Sequence, residues 1–326
     1  MSKKNETAVE ENIRPKTLNE YIGQERIKDN LKIYIDSANK RNKALDHVLL
    51  YGPSGLGKTT LAGIIAYERN VTMHLSSGAS IEKPGDLAAI LATVEEGDVL
   101  FIDEIHRLPK IVEEILYTVM EDFVLSIVLN NSDGVSRNLN LELPPFTLIG
   151  ATTKGGSISS PLRNRFGIVE KIGFYKVEEL KEIIKRTAKL FKMKIDDPAS
   201  EAIAIRSRGI PRVANRLFKR VFDYSFYINR NYIDSDLVNE SMGKLQIDEI
   251  GLELIDLEYL LVIKNRFNGG PVGIEAIASA MNEDPVNLIE MVEPYLVLKS
   301  LVNRSKRGRE ITQLGLKHIN KILKPK

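Results

Sequence analysis

His47-Val-Leu-Leu-Tyr-Gly-Pro-Ser-Gly-Leu-Gly-Lys-Thr-Thr60 is the stretch whose reading decides the fold. An apolar run at 48–51 ends in Gly52, and Gly57-Lys58-Thr59 completes the phosphate-loop spacing G-x-x-x-x-G-K-[ST]. The run reads as a buried strand and Thr60 to Arg69 as a helix, which is the setting this spacing requires. Gly52, Gly55 and Gly57 allow backbone N–H groups to turn inward around the phosphates of a nucleotide, and the helix adds the positive end of its dipole. Lys58 offers the β- and γ-phosphates a point charge. The hydroxyl of Thr59, which Thr60 follows, offers Mg²⁺ a ligand. The plain alternative is a Gly/Pro turn that matches by accident, and correct flanks on both sides weigh against it.

Outward from the loop, strand-like runs at 48–51, 71–75, 98–102 and 146–151 alternate with helix-like segments at 25–40, 58–69, 85–95 and 111–122. That rhythm predicts an α/β fold, a parallel sheet with helices on both faces. Ligands of such sheets sit beyond the carboxyl ends of the strands. Asp98-Val-Leu-Phe-Ile-Asp103-Glu104 ends a buried run in two acids. Asp103 is expected to hold the Mg²⁺ shell, mostly through water, and Glu104 to orient and activate the attacking water. An acidic turn after a strand is the competing account. Phe146-Thr-Leu-Ile-Gly-Ala-Thr152-Thr153 ends in two hydroxyls placed to sense a γ-phosphate, with Thr152 the candidate. Ser160-Pro-Leu-Arg163-Asn-Arg165-Phe166 sets two cations on one helical turn, where simple solvation is the alternative.

Val124-Leu-Ser-Ile-Val-Leu129 and Leu139-Asn-Leu-Glu-Leu143 flank an Asp-Gly turn and read as an inserted hairpin. Ile127, Val128 and Leu129 suggest a partner-binding face; a hairpin folded back on its own domain remains open. Residues 177–190, 200–207, 211–228 and 234–245 are helix-like and suggest a helical lid, with 247–251 as a linker. Helix-like segments at 256–267, 273–281 and 284–298 follow, then a strand pair around Asn303-Arg304-Ser-Lys306-Arg307-Gly308-Arg309, the pattern of a winged-helix head. The expected domains are thus 13–175, 176–247 and 248–326, after a polar start at 1–12.

Charge separates within the head. Residues 251–298 carry two Lys/Arg against eight Asp/Glu, and 299–326 carry nine against one. A basic turn seeks phosphates, while the lysines at 317–326 also fit a solvated tail. Over all 326 residues the net charge is only +2, and 43% of the residues are hydrophobic, enough to bury several cores. With no cysteine, disulfides, Cys-ligated zinc and iron–sulfur clusters are excluded. No apolar run reaches membrane-span length and the start has no apolar signal core, so a cytoplasmic protein is expected. The four histidines lack metal-ligand spacing: His106 reads as structural or coupled to the nucleotide site, and His47, His74 and His318 give no signal.

Taken together, these segments resemble the RuvB family of AAA+ Holliday-junction branch-migration ATPases. The resemblance rests on Ile13-Arg14-Pro15, the phosphate loop, Gly85-Asp-Leu-Ala-Ala89, Phe101-Ile-Asp-Glu-Ile-His-Arg107, Pro144-Pro-Phe-Thr-Leu-Ile-Gly-Ala-Thr-Thr153, Ser160-Pro-Leu-Arg-Asn-Arg-Phe-Gly167, Gly209-Ile-Pro-Arg212 and Gly269-Gly-Pro-Val-Gly273. It implies that Ile13 and Arg14 border the adenine, and that Glu121, Asp122, Phe123 and Tyr175 line the nucleotide pocket. Arg165 would be the arginine finger of the neighbouring subunit's site, with Arg163 its competitor, and Arg212 a second γ-phosphate sensor. Arg304 and Arg309 would contact DNA, helped by Lys306 and Arg307, and the hairpin would dock RuvA. A homohexamer on duplex DNA at a Holliday junction, working with RuvA and RuvC and using ATP and Mg²⁺, is the implied assembly. Two residues depart from the family pattern: Ser54 stands where a second proline is usual, and Lys154 where arginine is. Ser54 is expected to be tolerated, because backbone amides do the work there; at Lys154 the charge stays but the planar fork is lost.

Overall fold

Consecutive apolar residues bury both faces of a strand, which a parallel sheet between helix layers requires. The computed structural model describes residues 13–130 and 136–322, with side chains except at 127–139. Its contacts divide the chain into two units. One runs to Lys192 and takes in Gly209–Asn215; the other comprises Met193–Arg208 and the chain from Arg216 onward.

In the first unit the elements are α1 (Glu25–Arg41), β1 (Val48–Tyr51), α2 (Lys58–Arg69), β2 (Met73–Ser77), α3 (Pro84–Leu91), β3 (Val99–Asp103) and α4 (Lys110–Asp122). Then come β4 (Val124–Asn130), β5 (Ser136–Glu142), β6 (Thr147–Thr152), α5 (Ser160–Asn164), β7 (Ile168–Lys171) and α6 (Val177–Leu190). Five parallel strands line up as β2-β3-β6-β1-β7. Strand β1 is flanked on both sides, Val48, Leu49 and Leu50 are wholly buried, and its partners are Ile149–Thr152 and Ile168–Lys171. Helix α1 buries Ile27, Leu31, Ile35 and Ala38, one stripe at helical spacing. On one face of the sheet Leu49, Leu100, Ile102 and Leu148 pack with Val112, Leu116 and Val119 of α4.

One difference from the expected pattern has a local cause. Strand β7 was not anticipated: it has four residues, alternates buried and exposed, and lies at the sheet edge, so it carries no apolar run. The hairpin is present as the antiparallel pair β4–β5, separate from the main sheet, with Val124 opposite Glu142 and Asn130 opposite Ser136. Its base folds back on the domain, Leu125 being fully buried in the core, whereas Leu141 is exposed. The side chains of Ile127, Val128 and Leu129 lie outside the described residues.

The second unit holds β8 (Lys194–Ile195), α7 (Asp197–Arg206), α8 (Pro211–Tyr227, whose opening turn is in the first unit), β9 (Tyr232–Ile233), α9 (Ser235–Lys244), α10 (Leu254–Arg266) and α11 (Ile274–Met281). The head continues with α12 (Pro285–Asn287), a π-helical turn at Leu288–Val292, α13 (Glu293–Leu298), β10 (Val302–Ser305), β11 (Gly308–Ile311) and α14 (Gln313–Ile322). The helix expected over 284–298 is therefore interrupted. Pro294, which has no N–H to donate, sits in the first turn of α13, immediately after the wider π turn. The wing β10–β11 gains a bridge to Val272, which exchanges hydrogen bonds of 2.9 and 2.8 Å with Arg309. Only glycine fits at 308, where φ is +132° and a Cβ would meet the Val272 carbonyl oxygen at 2.4 Å.

Residues 247–251 are not a loose linker. Asp248 accepts from the N–H groups of Ile250 (2.9 Å) and Leu252 (2.7 Å), and pairs with His318 at 2.7 Å. Arg206 donates to the Asp248 carbonyl at 3.1 Å. Arg208 donates to the Gly251 carbonyl at 2.8 Å and to the buried Asp256 carboxylate at 2.5 Å, its guanidinium 4.9 Å from the centre of the Tyr295 ring. The tail is likewise not merely solvated, since α14 buries Ile319 in the head core and brings His318 to Asp248. No helix among the described residues is long and apolar enough to cross a membrane.

His47 is buried between Phe123 and Phe146, donating from Nε2 to the Met120 carbonyl (3.0 Å) and accepting at Nδ1 from the Leu148 N–H (2.8 Å). The bond from Leu148 needs the neutral ring, and burial lowers its pKa below the ordinary 6.5, against a smaller opposing pull from Met120 and Asp46. A depressed folded-state value makes this contribution complete above pH 6.5 and lost as pH falls through the folded pKa. Urea unfolding followed from pH 7.5 to 5 should therefore show falling stability, and His47→Gln should flatten that dependence by up to ~1.4 kcal/mol per pH unit.

Candidate functional site

The phosphate loop leaves β1 at Gly52, whose N–H donates to the Thr152 carbonyl at 3.1 Å and prolongs the ladder by one bond. A side chain is impossible there: φ is +147° and a Cβ would lie 2.3 Å from the Ile172 carbonyl oxygen. Lys58 begins α2 and is buried, with Nζ donating to the carbonyls of Gly52 (2.7 Å) and Pro53 (3.0 Å). Burial lowers its pKa, the charges of Glu104 and Asp103 oppose this, and Arg212 adds to the lowering. Three predicted charges thus act on this one lysine beside the loop. Thr59 and Thr60 follow in the first turn of α2, half-buried. Ile13 and Arg14 open the described chain, the first half-buried and the second exposed.

A tyrosine pair braces the back of the loop. The hydroxyls of Tyr21 and Tyr175 are 2.8 Å apart, and that of Tyr175 is 3.2 Å from the Leu56 carbonyl. Burial raises both pKa values, that of Tyr21 to about 12, so both stay protonated. Tyr175 was expected in the nucleotide pocket, and its hydroxyl meets the phosphate loop at Leu56. Tyr21 was given no role, because its partners lie 35 and 154 residues away and no local pattern marks it.

Asp103 and Glu104 stand at the carboxyl end of β3. Glu104 has φ +46°, a left-handed conformation that a residue other than glycine adopts at a cost, as happens at functional sites. Its Oε2 accepts from the N–H (3.1 Å) and Oγ1 (3.0 Å) of Thr153 and lies 3.1 Å from His106 Nδ1. His106 is thus coupled to the acid, as one of the two readings had it. Thr152 requires a correction. It is wholly buried, its hydroxyl 2.9 Å from His106 Nδ1 and accepting from the Lys154 N–H at 2.9 Å, so it cannot reach a phosphate. Successive residues of a strand point to opposite sides, and Thr153 is the hydroxyl beside Glu104. Among the described residues no three His, Asp or Glu side chains gather to hold a metal. One hydroxyl at Thr59 and one carboxylate at Asp103 suit Mg²⁺, which takes few protein ligands and fills its shell with water and phosphate.

Arg212, in the first turn of α8, meets the same loop. Its N–H donates to the Gly55 carbonyl (3.3 Å) and its Nη1 to the Ser54 hydroxyl (3.2 Å). Ser54 is thus a hydrogen-bond partner for this cation, which a proline side chain could not be. Arg163 leans over the Tyr51 ring at 5.5 Å. Arg165 lies elsewhere, 4.5 Å from the centre of the Tyr117 ring, 3.2 Å from Glu121 Oε2, and donating to the Pro161 carbonyl at 2.9 Å.

Glu121, Asp122 and Phe123 stand apart from the loop of their own chain. They close α4, and Phe123 packs at ring distances of 6.1 and 5.9 Å on His47 and Phe146, at the amino ends of the strands. Strands of four or five residues at roughly 3.3 Å per residue place these ends about 13–16 Å from the carboxyl ends, so these residues do not line their own chain's loop.

The wing divides its cations. Arg309 is largely buried and forms two bonds to the Glu293 carboxylate, 2.6 and 3.2 Å, while Tyr259 donates to the same group at 2.8 Å. Arg309 therefore anchors the wing to the helices and is not an available phosphate contact, contrary to expectation. Lys306 and Arg307 are exposed at the turn, and Arg304 is 54% exposed while 3.5 Å from Glu293.

Comparison with known proteins adds to this geometry. Family models described as the Holliday junction DNA helicase RuvB P-loop domain, the RuvB AAA lid domain and the RuvB C-terminal winged helix domain match residues 13–172, 175–248 and 249–320. The Holliday junction branch migration complex subunit RuvB of Acholeplasma laidlawii is 52% identical over 303 residues, 93% of this chain and 90% of its own. That of Lactiplantibacillus plantarum is 49% identical over 314 residues, 96% and 93% of the two chains. The solved Thermotoga maritima RuvB Holliday junction branch migration motor superposes with TM-score 0.84 at 48% identity, covering 94% of this chain and 98% of that one.

The tyrosine brace makes a measurable claim. Tyr175→Phe removes one hydroxyl from the Leu56 carbonyl and should weaken nucleotide affinity by about 2- to 10-fold in calorimetric titration, with the fold intact.

Proposed function

The chain belongs to the RuvB family, and on that footing we propose that it is an ATP-driven motor moving Holliday junctions along duplex DNA. One observation carries the mechanism: Arg165 is held with Glu121 and Tyr117, apart from the phosphate loop of its own chain. Each protomer would contribute a loop to one site and an arginine to the next, a head-to-tail arrangement that closes as a ring, here a homohexamer.

Within one site, Lys58 would exchange its bonds with the Gly52 and Pro53 carbonyls for the β- and γ-phosphates of ATP. Thr59 and Asp103 would hold Mg²⁺, which when bound offsets phosphate charge. Glu104 would orient and deprotonate the attacking water once Thr153 turns from it toward the γ-phosphate. Arg212 would report nucleotide occupancy from the start of α8. Arg165 of the adjacent protomer would meet the charge that builds on the transferring phosphoryl group, a contribution typically worth about 10³–10⁵ in rate.

DNA would be gripped by Arg304, Lys306 and Arg307 through phosphates, without base readout, as suits a protein that must travel. The β4–β5 ribbon, paired apart from the main sheet, is our candidate docking element for RuvA, with RuvC joining at resolution. Such work in recombination and repair places the protein in the cytoplasm.

Mixing Arg165→Ala chains with Lys58→Ala chains tests the shared site. Each should be inactive alone, and co-assembly should restore ATP turnover and migration of a four-way junction with RuvA, up to about a quarter of the wild-type level. Absence of any restoration in confirmed mixed rings would sink the shared site. The wing is tested by salt titration of duplex binding. Arg304→Ala, Lys306→Ala and Arg307→Ala should each lower the log–log slope by up to about 0.9, whereas the paired change Arg309→Met with Glu293→Gln should leave the slope near wild type.

A further inference from the structure

The arginine assigned to the neighbouring site does not hang free; it rests on a prepared surface. Its guanidinium lies 4.5 Å from the centre of the Tyr117 ring. Nη1 is taken by the Pro161 carbonyl (2.9 Å) and Nη2 by Glu121 (3.2 Å), and Nε is buried with no hydrogen-bond partner. A planar cation laid on an aromatic face is attracted by the ring's negative centre, which lysine or an aliphatic platform could not reproduce in the same way.

The ring is itself fixed at its far end. The Tyr117 hydroxyl donates to Glu113 Oε1 at 2.7 Å and lies 3.2 Å from Ser159 Oγ. Ser159 also bonds to that carboxylate oxygen, and as the N-cap of α5 it accepts from the Leu162 N–H at 3.3 Å. One carboxylate on α4 therefore ties down both the aromatic platform and the start of the helix that carries the arginine. Tyr117 and Glu113 sit one helical turn apart, which is why one can anchor the other.

We propose that Tyr117, anchored by Glu113 and Ser159, is a positioning residue for Arg165, holding the guanidinium in the orientation in which ring assembly presents it to the adjacent phosphates. The inference rests on the shared-site reading above. A long, flexible side chain must otherwise be ordered at every encounter, and a misplacement of about 1 Å can cost about 100-fold in rate. Glu121 does not hold the plane by itself: it touches one nitrogen from the edge, while the ring fixes the face.

The test separates platform from packing. Tyr117→Leu in the full-length protein should lower kcat by about 10-fold or more with the KM for ATP within about 2-fold, and Tyr117→Phe, which keeps the face, should recover most of kcat. In mixed rings Tyr117→Leu should regain turnover with Lys58→Ala, because its own phosphate loop is intact, and should gain none with Arg165→Ala. The pair Arg165→Ala with Lys58→Ala is the control. If the control restores turnover and Tyr117→Leu with Lys58→Ala does not, or if KM rises with kcat unchanged, the positioning role is overturned while the shared site stands. If the control restores nothing, the shared site falls and this inference with it. Should Tyr117→Leu not fold by circular dichroism, Glu113→Gln, which keeps the ring and loosens its anchor, must show a kcat loss of about 2-fold or more at constant KM; wild-type kcat there overturns the proposal.

Discussion

All five strands of the sheet run the same way, and that common direction organises the nucleotide chemistry. Loops that leave the carboxyl ends of β1, β3 and β6 meet on one side, and bring Lys58, Asp103, Glu104 and Thr153 together from across 95 positions of sequence. Helices that return to start the next strand deliver Glu121 and Phe123 to the opposite side. Strand polarity thus separates phosphate-holding groups from the surface shared with Arg165 before any particular side chain is chosen. A composite site between protomers is the simplest arrangement that reunites them.

Within the site, strain and desolvation fall on the residues with work to do. Glu104 holds a left-handed backbone conformation and gives one carboxylate oxygen to Thr153 and His106. Lys58 is buried with only backbone carbonyls as hydrogen-bond partners. Lys58 is thus held beside the loop by backbone acceptors that a phosphate oxygen can replace, and Glu104 is held as an acceptor beside it. The head treats charge differently. It encloses the Glu293 carboxylate and surrounds it with Arg309 and Tyr259, leaving Lys306 and Arg307 outside.

Much of this was legible in the residues. The phosphate loop, the alternating pattern and the Asp103-Glu104 pair are local signals, since each depends on spacing within one strand, turn or helix. What escaped depended on contacts across the chain. The partners of Tyr21 lie far away in sequence, Arg309 looks like any wing cation until Glu293 is placed beneath it, and Thr152 and Thr153 are distinguished only by which way β6 presents each hydroxyl. Strand β7 has too few residues, at too exposed an edge, to show a pattern. Histidines without metal spacing proved to be ties, His47 to two backbone groups, His74 to Asp98 and His318 to Asp248.

The brace at residues 247–251 has a mechanical meaning. Arg206, Arg208, Asp248 and His318 lock the later lid helices to the head through charged hydrogen bonds rather than a slack tether. A body stiffened in this way behaves as a crank without backlash: torque applied at one end reaches the other before it can be absorbed by bending.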